Sequence, residues 1–118
     1  YLELLLKTYT GDPTLGLIDP LVSPIIIHPE YLKNFPIIRI ASGSKDPLHD
    51  DSLRFVDKLR KAKCDVHMTV YLDMPHGFLN FDIPGVGMPE GKRCNTDCGY
   101  QIQALLKLVD EKKHKTLN

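Results

Sequence analysis

Hydrophobic and polar positions along this chain predict two β-strands. A short apolar run over residues 37–41 is bounded by Pro36 and Gly43, which is typical of a strand with both faces covered. Residues 66–72 alternate between apolar and other side chains, so they predict a second strand with one apolar face, ending before Pro75. The side chains expected on that face are Val66, Met68, Val70 and Leu72.

Apolar residues spaced three or four positions apart predict helices over residues 2–9 and 50–63, and a final helix near the end of the chain. In the helix over 50–63 the buried stripe is expected to consist of Leu53, Val56 and Leu59, with Phe55 and Ala62 beside them. The final helix is expected to have N-caps among residues 95–97 and an apolar stripe of Ile102, Leu105, Leu106 and Val109.

Prolines and glycines predict two irregular segments. Residues 10–36 contain five prolines, so we expect a long connector in which residues 25–27 form either a brief strand or a buried extended segment. Residues 82–93 hold two prolines and three glycines and are expected to form a loop. The resulting order predicts an α/β fold whose parallel strands are joined by a crossover helix, and residues 1–118 are interpreted as a single partial domain.

Composition narrows the class of protein. With 118 residues, 42% hydrophobic content and no net charge, the chain fits an ordinary globular domain and lacks the basic excess of a nucleic-acid-binding protein. The basic residues within 107–115 are interpreted as a helix end. No apolar run is long enough to span a membrane, and no signal peptide is visible. Because the chain begins at Tyr1, inside an apolar pattern, we interpret it as a piece of a longer protein.

Three cysteines form no disulfide framework and favour a reducing compartment, which makes a cytoplasmic protein the expectation. Cys94 and Cys98 are four residues apart and could share a helix face. A single pair without a second pair or nearby histidines is weak evidence for zinc, so no metal is implied.

Asp46 and His76 are the residues most able to carry chemistry. Each follows a predicted strand, and the carboxyl ends of neighbouring parallel strands meet at one edge of a sheet. An imidazole can take a proton from a serine hydroxyl, and a carboxylate can hold its other nitrogen as N–H. The noncatalytic alternatives are that Asp46 caps a turn and that His76 is a surface residue.

Other candidates carry less weight. Asp50 and Asp51 could act as the acid, but their position at a helix start favours a role as partners of the helix dipole. We interpret His49 as a surface residue, and His28 and His114 carry little weight. The four serines are Ser23, Ser42, Ser44 and Ser52, and none lies in the G-x-S-x-G pattern of a nucleophile elbow.

Residues 19–24, 43–51 and 73–79, which read DPLVSP, GSKDPLHDD and DMPHGFL, resemble the C-terminal part of the hormone-sensitive lipase family of α/β-hydrolases. The resemblance covers residues 1–81 and, more loosely, the last helix. It implies that Asp46 and His76 are the acid and base of a Ser-His-Asp triad in a carboxylic ester hydrolase, with no metal or organic cofactor. It also implies that the serine and the oxyanion loop lie upstream of Tyr1, so that this piece alone is inactive.

For the parent protein the resemblance implies acylglycerol or cholesteryl ester substrates, a cytoplasmic location and association with lipid droplets. The implied partner of this chain is the N-terminal remainder of the hydrolase domain, and an exposed strand edge favours self-association. Two alternatives stay open: a serine peptidase of the prolyl oligopeptidase type, and a noncatalytic α/β interaction module. The sequence upstream of Tyr1 would discriminate among the three.

Overall fold

The structure, a computed structural model, describes residues 7–12 and 14–116. Residues 7–10 are helical. The elements that follow are α1 (Leu15–Ile18), a 3-10 turn (Pro24–Ile26), α2 (Pro29–Leu32), β1 (Ile38–Gly43), α3 (His49–Lys61), β2 (Val66–Tyr71), a second 3-10 turn (Phe78–Phe81) and α4 (Pro89–Thr116). This alternation of strand and helix confirms the predicted α/β fold.

β1 and β2 pair in parallel. The Ile38 N–H donates to the Asp65 carbonyl at 2.8 Å, and the Ser44 N–H donates to the Tyr71 carbonyl at 2.9 Å. Because the partners advance together along both strands, the strands run in the same direction. Helix α3 is the crossover between them, and the two strands make up the sheet in the described part of the chain. The segments that follow β1 and β2 therefore leave the sheet at the same edge.

The described residues group into two compact units. The first contains the described residues up to Ile38 together with 51–66, and it buries Leu32, Val56 and Leu59. Within it, the Lys58 ammonium donates to the Ile25 carbonyl at 2.6 Å and ties α3 to the connector. That residues 1–118 form a single partial domain stays a prediction.

The second unit contains residues 39–50 and 67 onward, and its core lies where β2 ends. The rings of Tyr71 and Phe78 have centroids 5.3 Å apart and pack with the buried Cys94 of α4. The Tyr71 hydroxyl donates to Asp97 Oδ2 at 2.9 Å. These contacts anchor α4 beside the segment that carries His76.

Two predictions about the first half of the chain are wrong. Residues 25–27 form neither a strand nor a continuous extended segment, since Pro24–Ile26 is a 3-10 turn and only Ile27, with φ −53° and ψ 137°, is extended. Proline lies in the first turn, where the missing N–H costs nothing. Leu53 is exposed, while Val56 and Leu59 of the same predicted stripe are buried. The helix predicted over 2–9 lies mostly outside the described residues. Its described part is helical and stops before Gly11, whose φ is +76°.

The predicted apolar face of β2 is also wrong at its C-terminal end. Val70 and Leu72 are exposed, and Tyr71 is buried instead. Tertiary contacts explain the burial of Tyr71, because its ring packs against Phe78 and its hydroxyl donates to Asp97. Alternation along the strand could not rank a tyrosine above two aliphatic residues.

The loop predicted over 82–93 is shorter than expected, because α4 begins at Pro89. Proline is tolerated at the first helical position, where its N–H would be unpaired in any case. Residues 95–97 therefore lie inside α4 rather than at its cap. Asn95 donates to the Leu79 carbonyl at 3.3 Å, and the expected stripe is exposed at Ile102, Leu106 and Val109. None of the helices in the described ranges has the length and apolarity needed to cross a bilayer.

Candidate active site

Asp46 lies in the loop of residues 44–48, between β1 and α3. The loop is closed by backbone bonds from the Asp46 N–H to the Gly43 carbonyl at 3.2 Å and from the His49 N–H to the Asp46 carbonyl at 2.9 Å. Asp46 Oδ1 accepts the Leu48 N–H at 2.8 Å. One carboxylate oxygen thus shapes the turn, and the other oxygen remains for a second partner.

His76 lies in the segment after β2, and that segment is tied to the Asp46 loop by three contacts. The Lys45 N–H donates to the Met74 carbonyl at 3.0 Å, and the Asp73 N–H donates to Ser44 Oγ at 2.8 Å. The Lys45 ammonium pairs with Asp73 at 2.9 Å. Three contacts between the two loops fix the relative positions of their side chains, and a catalytic pair requires such fixed positions.

Two glycines allow this close approach. A Cβ added at Gly43 would overlap the carbonyl oxygen of Met74, so only glycine lets the end of β1 lie against the segment before His76. Gly77 follows His76 with a φ of +73°, a left-handed conformation that other residues adopt at a cost. Both glycines therefore allow the backbone conformation that places His76 beside the Asp46 loop.

Asp46 and His76 meet at hydrogen-bond distance. His76 Nδ1 lies 2.9 Å from Asp46 Oδ2, within the range of about 2.6–3.2 Å expected for such a pair. The Asp46 side chain is 15% exposed, whereas the His76 side chain is 67% exposed. Nε2 of His76 has no hydrogen-bond partner among the residues that the structure describes. With Nδ1 held by the carboxylate, Nε2 can exchange a proton with a group arriving from outside the chain.

The carboxyl of Asp46 is held in its ionised form. Burial opposes ionisation, but it is outweighed by the hydrogen bonds from the Leu48 N–H and from His76, and by the charges that His76 and His49 carry when protonated. The pKa of Asp46 therefore lies below its usual value. A carboxylate that stays charged can both orient an imidazole and stabilise an imidazolium.

The interpretation of His49 as a surface residue is wrong. His49 is half-buried, and its Nδ1 lies 2.9 Å from Ser42 Oγ. The contact joins residues seven apart across a loop, and no local pattern signals such a pair. The distance resembles that of a nucleophile and its base, but Ser42 is only 5% exposed, so a substrate could not reach its hydroxyl.

The remaining candidates lie in other contacts. Asp51 pairs with Arg54 on its own helix at 3.4 Å, and Asp50 is exposed at the start of α3. His28 accepts the Glu30 N–H at 3.4 Å as the N-cap of α2, a capping role that its sequence context did not signal. The side chain of His114 lies outside the described residues, as do those of the basic cluster beyond residue 111.

Cys94 and Cys98 lie on one face of α4, with their sulfur atoms 4.0 Å apart. Burial raises the pKa of the Cys94 thiol and favours its protonated form. In the described part of the chain, no three His, Cys, Asp or Glu side chains are grouped so as to hold a metal ion.

Comparisons with known proteins place this chain in a family. A family model described as the alpha/beta hydrolase fold matches residues 1–80. An esterase of Acinetobacter venetianus is 35% identical over 79 residues, which are 67% of this chain and 24% of the esterase. The hormone-sensitive lipase of Mus musculus is 36% identical over 62 residues, which are 52% of this chain and 8% of the lipase.

A solved structure shows the same fold. Carboxyl esterase 2 from the mycorrhizal fungus Tuber melanosporum superimposes with a TM-score of 0.75 and 24% identity, over 86% of this chain and 33% of the esterase. The chain thus spans a third or less of each of these proteins. Because the family match covers residues 1–80 of 118, the chain belongs to the α/β-hydrolase fold family.

Proposed function

We propose that this chain supplies the acid and the base of a Ser-His-Asp triad in a carboxylic ester hydrolase. The observation that carries the proposal is the 2.9 Å contact between Asp46 Oδ2 and His76 Nδ1, which leaves Nε2 open. The relatives named as esterase and hormone-sensitive lipase support an ester as substrate. The nucleophilic serine and the oxyanion donors belong to a part of the protein outside these 118 residues.

The chemistry assigns one task to each residue. His76 Nε2 takes the proton of the serine hydroxyl as the serine oxygen bonds to the acyl carbon, and it gives that proton to the departing alkoxide. Asp46 keeps Nδ1 as N–H and stabilises the imidazolium that forms in between. Water then cleaves the acyl-serine bond by the same proton route, which releases the carboxylic acid and restores the serine.

The substrate class and the location are proposed from the resemblance to the hormone-sensitive lipase family. Acylglycerol or cholesteryl esters are the proposed substrates of the whole protein, which we place in the cytoplasm and at lipid droplets. Its remainder is the proposed partner of this chain and completes the catalytic domain. The chain alone, without a nucleophile, is expected not to hydrolyse esters.

A chimaera tests the proposal. The segment of the Acinetobacter esterase that matches this chain is replaced by this chain's own residues, including Asp46 and His76. We expect the chimaera to hydrolyse p-nitrophenyl butyrate, and Asp46→Asn and His76→Ala each to lower kcat by about a thousandfold or more, because the first loses the carboxylate and the second loses the base. The measurement is initial rate with circular dichroism as a check of folding.

Asp51→Asn is the matched control, since it removes a carboxylate five residues away at the start of α3. It should keep the rate within about threefold of the parent chimaera, since the charge at a helix start affects stability by less than about 1 kcal/mol. A folded chimaera without activity contradicts the proposal. So do triad variants that retain the parental rate, in which case the noncatalytic interpretation is correct.

A further inference from the structure

We propose that His49 is a positioning residue for the pair of Asp46 and His76. Through Ser42 it holds the loop of residues 44–48 in the shape that presents Asp46 Oδ2 to the imidazole. The consequence for catalysis rests on the proposed function, whereas the contact itself rests on geometry alone.

The Ser42–His49 contact closes the loop at its base. Ser42 lies near the end of β1 and His49 is the first residue of α3, so their 2.9 Å contact joins the elements on either side of the loop. Both backbone bonds of Asp46, through its N–H and its carbonyl, lie inside this closure. Loss of the His49 side-chain contact is therefore expected to change the backbone conformation of the loop that carries Asp46.

One assignment of the protons satisfies both groups of the contact. The Ser42 hydroxyl donates to the Gly43 carbonyl at 3.4 Å, and a hydroxyl has only one proton. Its oxygen is then free to accept from His49 Nδ1–H. With His49 as donor, the buried hydroxyl both donates and accepts, as buried polar groups in folded proteins do.

His49 also acts on Asp46 through charge. When protonated, it favours the ionised form of the Asp46 carboxyl and adds to the effect of His76. The two effects support the same interaction. The contact keeps Asp46 Oδ2 facing Nδ1 of His76, and the charge keeps the Asp46 carboxyl ionised. This is the behaviour expected of a residue that orients a catalytic group without touching substrate.

The test reads the ring nitrogens of His76 by NMR in the ¹⁵N-labelled 118-residue chain, at a pH where the imidazole is neutral. Asp46 selects the Nδ1–H tautomer, so Nδ1 and Nε2 should give well-separated signals. His49→Phe keeps a ring but removes the donor to Ser42, and we expect the two His76 signals to move toward each other. His49→Asn places an amide N–H near the position of Nδ1 and should restore their separation.

Two further variants keep the test decisive. Ser42→Ala removes the same bond from the other side, should shift the His76 signals in the same direction, and carries the test if His49→Phe does not fold. Val56→Ala is the matched control, because Val56 is buried on α3 but takes no part in the contact. It should lower the Tm and leave the His76 signals in place.

The proposal is overturned if His49→Phe and Ser42→Ala lower the Tm but leave the His76 signals unshifted, since His49 is then only structural. A shift that His49→Asn does not reverse also overturns it. In the chimaera, His49→Phe should lower kcat by about tenfold or more with KM unchanged. If the chimaera's Asp46 and His76 variants keep full activity, the proposed function fails, while the NMR shift still decides the role of His49.

Discussion

At the scale of single residues, Asp46 divides two tasks between its two oxygens. Oδ1 accepts the Leu48 N–H, and Oδ2 meets His76. Turn capping and partnership with a histidine, which are competing interpretations of an aspartate in sequence, thus coexist in one side chain. Both contacts favour the ionised carboxyl, so both depend on pH.

We expect Asp46 to contribute to the acid sensitivity of the chain. Its pKa is lower in the folded chain than in the unfolded chain, where an aspartate titrates near 3.9. The stabilisation is therefore complete above about pH 5 and is lost as the pH falls through the folded value. In urea unfolding, Asp46→Asn should be less stable than the parent by about 1–2 kcal/mol at pH 6.

The same variant at low pH provides the check on that expectation. At pH 2.5 the difference in the free energy of unfolding between parent and Asp46→Asn should shrink, because the parent carboxyl is then increasingly protonated in both states. A difference that stays constant from pH 6 to pH 2.5 would show that the ionised form of Asp46 does not stabilise the fold.

At the scale of elements, the junction between β2 and α4 decides where His76 lies. Tyr71 ends β2, packs on Phe78 two residues beyond His76, and donates to Asp97 of α4. Burial, followed by hydrogen bonds with Cys94 and Asp97, raises the pKa of Tyr71 well above its usual value. The neutral phenol is therefore part of the packing between strand and helix.

Tyr71→Phe tests this junction. At pH 7 the variant should lose about 1 kcal/mol in the free energy of unfolding, because Asp97 loses its donor while the ring remains. The phenol's contribution is complete below about pH 10, where a free tyrosine titrates, and is lost as the pH rises toward the raised folded value. The gap between parent and variant in urea unfolding should thus narrow between pH 9 and pH 11, and a gap that widens there would contradict the assignment.

At the scale of the whole molecule, the described residues leave much apolar surface exposed. Ile102, Leu106 and Val109 of α4 and Leu72 after β2 are all exposed, and β1 pairs with β2 alone within the described ranges. In parallel pairing, alternate residues point their backbone groups to opposite sides. Since Ile38 and Ser44 donate toward β2, the backbone of Ala41 faces the other edge.

From the outer edge of β1, which is unpaired in the described part of the chain, we predict self-association of the 118-residue chain. We expect the weight-average mass in sedimentation equilibrium to rise with concentration, because an unpaired strand edge can pair with a second copy. Ala41→Pro removes a donor from the outer edge only and should reduce association while keeping the pairing of β1 with β2.

Leu106→Ser is the comparison variant, since it removes apolar surface from α4 without touching the edge. If it reduces association and Ala41→Pro does not, the apolar face of α4 is the interface and the edge is not. A chain that stays monomeric at every concentration would refute both.

Local periodicity determined the order of β1, α3, β2 and α4, because the apolar residues of a strand or a helix recur at spacings of two to four residues. The parallel pair of β1 and β2 and the course of α3 follow from it, and so does the expectation that Asp46 and His76 lie at one edge of the sheet. Their separation of 2.9 Å agrees with that expectation. Their roles in catalysis stay a prediction.

The tertiary structure alone decided the features that depend on residues far apart in the chain. Tyr71 is buried where its hydroxyl donates to Asp97, a residue 26 positions later in the chain. The loops around Asp46 and His76 approach closely because Gly43 leaves room for the backbone of Met74. The Ser42–His49 contact joins the end of β1 to the start of α3, a pairing that no local pattern signals. Composition and spacing predicted Asp46 and His76 as the side chains able to carry chemistry, and predicted the strands that they follow. Packing and long-range hydrogen bonds decided which side chains meet, because the energy of a contact depends on geometry that no local pattern contains.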